Sequence, residues 1–101
     1  MKIQIQSLHF TADQKLIEFI DKKVKKLETF HDKILNLDVI LSLENLSTQV
    51  KEKVVVLKSH VPGNVLVSRE TSDIFEESLD LAVASMRKQL EKHKTKIKNS
   101  Y

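Results

Sequence analysis

The side chains in this sequence whose type and spacing invite a chemical reading are cations, gathered in two runs. Lys22, Lys23, Lys25 and Lys26 flank Val24, and Arg87, Lys88, Lys92, Lys94, Lys96 and Lys98 crowd the last stretch against Glu91 alone. Cations at a helix C-terminus are ordinary and stabilise by roughly 0.3 to 1 kcal/mol each, but six exceed that need. Fixed positive charge on a stiff rod asks for an anionic counterpart, and phosphate is the general one. Lysine is a point charge rather than a planar fork, so the contact should follow a phosphate backbone and weaken steeply with salt. Arg69 and Arg87 are the only arginines, and neither offers a clear fork for reading base edges. Phe10, Phe19, Phe30 and Phe75 are expected in the core or at its edge, which leaves Tyr101 as the one aromatic free to stack on a base.

Other chemistries lack their residues. His9, His31, His60 and His93 form no i, i+4 pair, so no metal site is expected; His31 and His93 fall near apolar stripes and should be partly buried with hydrogen-bond partners. His60 is expected on the wetter face of a strand. The single glycine, Gly63, follows a proline, which removes both a nucleophile elbow and a phosphate-cradling loop. Glu76, Glu77 and Asp80 are better explained by capping and solvation than as a catalytic carboxylate pair. No enzyme activity and no cofactor are expected. Without cysteine there are no disulfides, as suits a reducing cytoplasm. No signal peptide and no apolar run of membrane-spanning length is evident, so a cytoplasmic protein without a membrane partner is expected. The net charge of +3 says less than its distribution.

The elements that must position these cations follow from periodicity. In 101 residues with one glycine and one proline, a single domain over 1–101 is expected, with no linker and no repeat. Ile3 and Ile5 alternate with polar residues as a half-buried strand, and Leu8 and Phe10 break the parity at a bulge or turn. Thr11 is the expected N-cap of a helix, with Gln14 completing a capping box and Leu16, Ile17, Ile20, Val24 and Leu27 as its stripe. Leu35, Leu37, Val39, Leu41 and Leu43 hold strict period two, followed by a connection over 44–49. Lys53 to Val61 is the next strand, Pro62-Gly63 suits a type II turn, and Val65 to Ser68 is a short fourth strand. The last helix opens at Asp73 with Glu76 three residues on, and its stripe runs Phe75, Leu79, Ala82, Val83, Met86, Leu90, His93, Ile97. The fold class is α+β, ordered β-α-β-β-β-α, with two helices side by side on one face of a four-stranded sheet. Their outer surfaces should then share one basic groove or ridge.

Three stretches together, residues 16–32, 60–63 and 73–94, resemble in order and spacing the ribosome hibernation promoting factor family, also called ribosome-associated inhibitor or sigma-54 modulation protein. The resemblance spans essentially the whole chain. It implies the same fold order, binding to the small ribosomal subunit and its ribosomal RNA between head and body, and silencing of idle ribosomes under starvation or in stationary phase. It also places the nucleic-acid contact on Lys22, Lys23, Lys25, Lys26, Lys88, Lys92 and Lys94. Arg87 joins them as a cation where relatives often carry an acid, while Ser85, Glu91, Ser7-Leu8 and Phe75 depart from the common residues. The chain ends without the dimerisation domain of the long forms, so a short form, monomeric off the ribosome, is expected. Two other readings stay open. One is a protein-interaction module acting on transcription regulation through an acidic partner. The other is a generic double-stranded RNA binder, although that domain resembles this one only in element order, and its basic cluster opens a helix whose start here is acidic.

Overall fold

The computed structural model describes residues 1–45 and 51–98. Its elements run β1 (Lys2–Ser7), α1 (Gln14–Lys25) tightening into a 3-10 turn (Lys26–Thr29), β2 (Asn36–Asn45), β3 (Lys51–Val61), β4 (Asn64–Ser72) and α2 (Phe75–Lys98). The order is β-α-β-β-β-α, an α+β fold. The sheet is mixed, with spatial order β1-β2-β3-β4. β1 lies parallel to β2, and the β2–β3 and β3–β4 pairs are antiparallel.

Register puts the period-two stripes on one face. Ile3 and Ile5 stand beside Leu37 and Val39, while Leu37, Val39 and Leu41 stand beside Ser59, Leu57 and Val55. Ile20, Val24 and Leu27 from the first helical segment, and Leu79, Ala82, Met86 and Leu90 from α2, close over that face in one buried cluster. Both helices therefore share a partner, as their stripes require. Phe10 and Phe75 stack at 5.2 Å between ring centres where the chain enters the two helices.

Polar groups fix α2 on the sheet at successive turns. The Ser78 hydroxyl donates to the Lys53 carbonyl at 2.6 Å, the Ser68 hydroxyl to the Ala82 carbonyl at 3.0 Å, and the Gln89 amide to the Val67 carbonyl at 2.8 Å. Hydrogen bonds of this kind contribute about 1 kcal/mol each, and they set the rotation of the helix about its own axis. That rotation decides which way the cations of α2 point.

Several boundaries differ from the sequence expectation. Asp13, not Thr11, caps α1: its backbone is extended and its carboxylate accepts the Leu16 N–H at 2.8 Å. Gln14 is then the first helical residue, and its amide donates to Glu18 rather than closing a capping box. α2 begins at Phe75, two residues after Asp73, and the Ser72 hydroxyl braces its entry by donating to the Ile74 carbonyl at 2.6 Å. β4 extends four residues past Ser68, because β3 supplies a ladder as far as Lys53 even where the apolar alternation has stopped. Leu35 lies just before β2 and is 63% exposed, with Ile34 buried in its place. The parity break at Leu8 is a turn in which His9 adopts φ 65°. Pro62-Gly63 closes the β3–β4 hairpin as expected, with Gly63 at φ +78° in the position a type II turn reserves for glycine. Of the connection expected over 44–49, Glu44 and Asn45 belong to β2; residues 46–49, the side chains of Lys96, Ile97 and Lys98, and Tyr101 lie outside the described residues.

Candidate nucleic-acid interface

Where each cation stands follows from helix geometry. In α1 the buried positions Ile20, Val24 and Leu27 define the inward direction, so Lys22, about half a turn from them, points straight out. Lys23 turns toward α2, and its ammonium reaches Asp80 at 3.5 Å while lying over the Phe19 ring at 5.4 Å. Lys25, two residues and roughly 200° further on, faces away from α2 and pairs with Asp21 at 2.7 Å. Lys26 comes back round to the side of Lys23.

A groove runs between the helices, enclosing about 450 Å³ and lined by Lys23, Lys26, Thr29 and Phe30 on one side and Asp80, Val83, Ala84 and Arg87 on the other. Arg87 is the most firmly held of its cations. Its guanidinium carbon lies 4.4 Å from the centre of the Phe30 ring, and its Nε donates to Glu91 at 3.1 Å. Lying over an aromatic face and donating to a carboxylate together narrow the rotamers of an exposed side chain.

Lys88 and Lys92 lie elsewhere. With Ser85, Gln89, Glu91 and Thr95 they line a shallow depression on the other flank of α2, and Lys92 also borders Asn64 and Leu66 of β4. Lys94, near the end of the helix, acts electrostatically on His31. The helices are side by side as expected, yet the eight candidate cations do not form one wall. Lys23, Lys26 and Arg87 meet in the groove, Lys88 and Lys92 occupy a second flank, and Lys25 a third. Lys23, Lys25 and Arg87 carry carboxylate partners, whereas Lys22, Lys26, Lys88, Lys92 and Lys94 have none among the described residues. Pairs this exposed are worth little, so the partnered cations remain available to a stronger anion.

Sequence reasoning missed the roles of Phe30 and Asp80. The pattern placed Phe30 in the core or at its edge and explained Asp80 by capping and solvation, and only the approach of two helices makes them neighbours of Arg87 and Lys23. A signal existed in hindsight: Asp80, Ala84, Arg87 and Glu91 follow one line along the helix at i, i+4 and i+3 steps.

Three of the four histidines have side-chain partners, His31 with His93 and His60 with Asp38. The His31 Nε2 and His93 Nδ1 atoms lie 3.0 Å apart, and the His31 Nδ1 accepts the Lys33 N–H at 3.1 Å. Since Nδ1 of His31 is an acceptor, its Nε2 carries the proton and donates to His93. His31 is 2% exposed, and burial first, then the neighbouring His93, pushes its pKa below the usual value; Lys94 and Lys33 push the same way and Asp32 opposes them. This fixed tautomer is a hydrogen-bonding arrangement rather than a ligand set, and no cluster of three metal-binding side chains occurs among the described residues. His60 stands on the outer sheet face, as expected, with Asp38 at 3.0 Å.

Known proteins share this architecture and much of its sequence pattern. Residues 3–98 match the family described as Sigma 54 modulation protein / S30EA ribosomal protein. The chain is similar to a ribosome hibernation promoting factor of Pseudomonas putida, 27% identical over 96 residues that cover 95% of this chain and 89% of the relative. It is also similar to one of Azotobacter vinelandii, 25% identical over 95% of this chain and 85% of that protein. Among solved structures, a ribosomal subunit interface protein from Coxiella burnetii superposes with a TM-score of 0.83 at 25% identity, covering 94% of this chain and 99% of the other. The N-terminal domain of Thermus thermophilus Protein Y superposes at 0.79 with 20% identity, over 92% and 99%, and attests the shared fold.

Proposed function

The chain belongs to the Sigma 54 modulation protein / S30EA ribosomal protein family, and from that premise we propose that it is a ribosome hibernation factor, binding the small ribosomal subunit through ribosomal RNA and inhibiting translation in starvation or stationary phase. The observation that carries this reading is the extent of the match: it takes in both helices and every strand, not a fragment, and the relatives it resembles are named for ribosome hibernation. The cations support the RNA component. Five of the candidate residues stand exposed without a carboxylate partner among the described residues, which is how a surface meets phosphate rather than how it satisfies itself. The protein acts in the cytoplasm by occupying a site rather than by catalysis.

Sedimentation with purified small subunits tests the reading. Co-migration at low salt that disappears as salt rises is expected of a phosphate-driven contact. Absence from the subunit fraction even at low salt would remove the proposal. Nuclease treatment of a captured complex separates an RNA contact from an acidic protein partner, since only the first should fall apart.

A further inference from the structure

The groove between α1 and α2 is more than a charged surface. Its floor is apolar, made by Val83, Ala84 and the Phe30 ring; its rim carries Lys23, Lys26 and Arg87; and Asp80 sets one carboxylate among these cations. A bare phosphate has no use for an apolar floor. A flat ring carrying a phosphate at one end suits all three features. Arg87 adds the decisive geometry. Its guanidinium carbon lies over the Phe30 ring and its Nε is held by Glu91, so the side turned away from the ring and the Nη edge are left without a partner among the described residues. Unstacked bases are recognised on aromatic rings and on guanidinium planes alike, and an arginine already held in place loses less freedom on binding than a free one. The scarcity of exposed aromatic rings therefore does not exclude a base.

We propose that this groove seats one unpaired RNA nucleotide: its base stacks against the outer face of Arg87, its edge hydrogen-bonds to Asp80, and its phosphate meets Lys26 and Lys23. Asp80 selects among bases. A carboxylate only accepts, and guanine presents two adjacent donors, N1–H and the N2 amino group, to its two oxygens. Lys23 holds Asp80 at a long 3.5 Å, a contact that a base edge can replace. Phe30 and Glu91 are positioning residues, acting through Arg87. The inference rests on the reading of this chain as an RNA binder, and it names which part of an RNA the groove takes.

The test is NMR titration of the intact protein, following the Ala84 and Thr29 amides and the Arg87 Nε–H. Guanosine monophosphate should shift these signals, uridine monophosphate more weakly, and ribose 5-phosphate least. A single-stranded oligonucleotide containing guanine should bind more tightly than the mononucleotide, because neighbouring phosphates reach further lysines. Arg87→Lys keeps the charge and loses the plane; it should raise the apparent Kd for guanosine monophosphate about tenfold, as expected for loss of one base stack, with the rest of the amide spectrum unchanged. Ribose 5-phosphate binding as well as the nucleotide, or Arg87→Lys binding like the parent, would show charge alone at work and overturn the seat. A mononucleotide binding as tightly as the oligonucleotide would assign the groove to a free nucleotide and overturn the RNA assignment. Small-subunit sedimentation of the same samples keeps the two proposals apart. Sedimentation without groove shifts overturns the seat alone, and groove shifts without sedimentation overturn the ribosome reading alone.

Discussion

The buried His31 imidazole should make this domain sensitive to acid. His31 is enclosed, donates to His93 and accepts from the Lys33 backbone, so both its nitrogens are committed in the neutral form. Protonating it would cost the Lys33 bond and place a charge beside Lys94 and Lys33, relieved only by Asp32. The unfolded chain binds that proton near the ordinary pKa of 6.5 and the folded chain resists it. The stabilisation is therefore complete above about pH 6.5 and fades as pH falls through the interval down to the depressed folded value. Urea midpoints measured from pH 7.5 to 5.5 should decline, and the decline should flatten in His31→Gln, which removes the titration. An unchanged slope in that variant would show that other groups carry the effect. The sequence placed both histidines near apolar stripes with partners to be found. That each was the other's partner was not legible, because they lie 62 positions apart and meet only once the loop after the 3-10 turn packs on α2.

At the level of elements, local chemistry decides the ends and tertiary contact decides the rest. Asp13→Ala should destabilise by roughly 0.5 to 2 kcal/mol, the usual cost of removing a side-chain cap, whereas Thr11→Ala should be nearly silent. Urea unfolding of the two variants side by side would distinguish them, and equal losses would contradict the cap geometry. Gly63→Ala tests the hairpin differently. A Cβ there meets nothing within 4 Å, so its cost is backbone strain at positive φ alone, about 1 to 2 kcal/mol. These elements were largely readable in the sequence because alternation and 3.6-residue stripes report which face is buried. Their edges were not. Asp13 and Thr11 are both good caps, and the choice falls on the one whose carboxylate reaches the Leu16 N–H. β4 outruns its apolar alternation because hydrogen bonding to β3 continues through Arg69, Glu70, Thr71 and Ser72. The serines that fasten α2 had no sequence signal at all, since Ser68 and Ser78 become structural only opposite a specific carbonyl.

The whole molecule is a thin slab, 51 × 28 × 18 Å, and α2 lies on it with a basic flank to either side. That cations gather on two helices was plain from their spacing along the chain, yet the azimuth of each one waited for the rotation of α2 that Ser78, Ser68 and Gln89 impose. The consequence concerns how many sides of the helix an RNA touches. If the proposed RNA site wraps α2, then Lys88 and Lys92 on one flank and Lys23 and Lys26 in the groove touch different phosphates, and the two pairs act independently. Each neutralised pair, Lys88→Gln with Lys92→Gln or Lys23→Gln with Lys26→Gln, should lower the salt slope of small-subunit binding by about 1.5, at roughly 0.7 to 0.9 for each phosphate no longer neutralised. The fourfold variant should show the sum, because the two pairs lie on opposite flanks of a helix and share no partner among the described residues. All these positions are at least partly exposed, so thermal melts should barely change, which separates weakened binding from a damaged fold. A slope that falls for one pair only would mean that RNA approaches from a single side. The flank whose neutralisation left it unchanged would then be a solvated face, its lysines serving solubility and the helix dipole rather than phosphate.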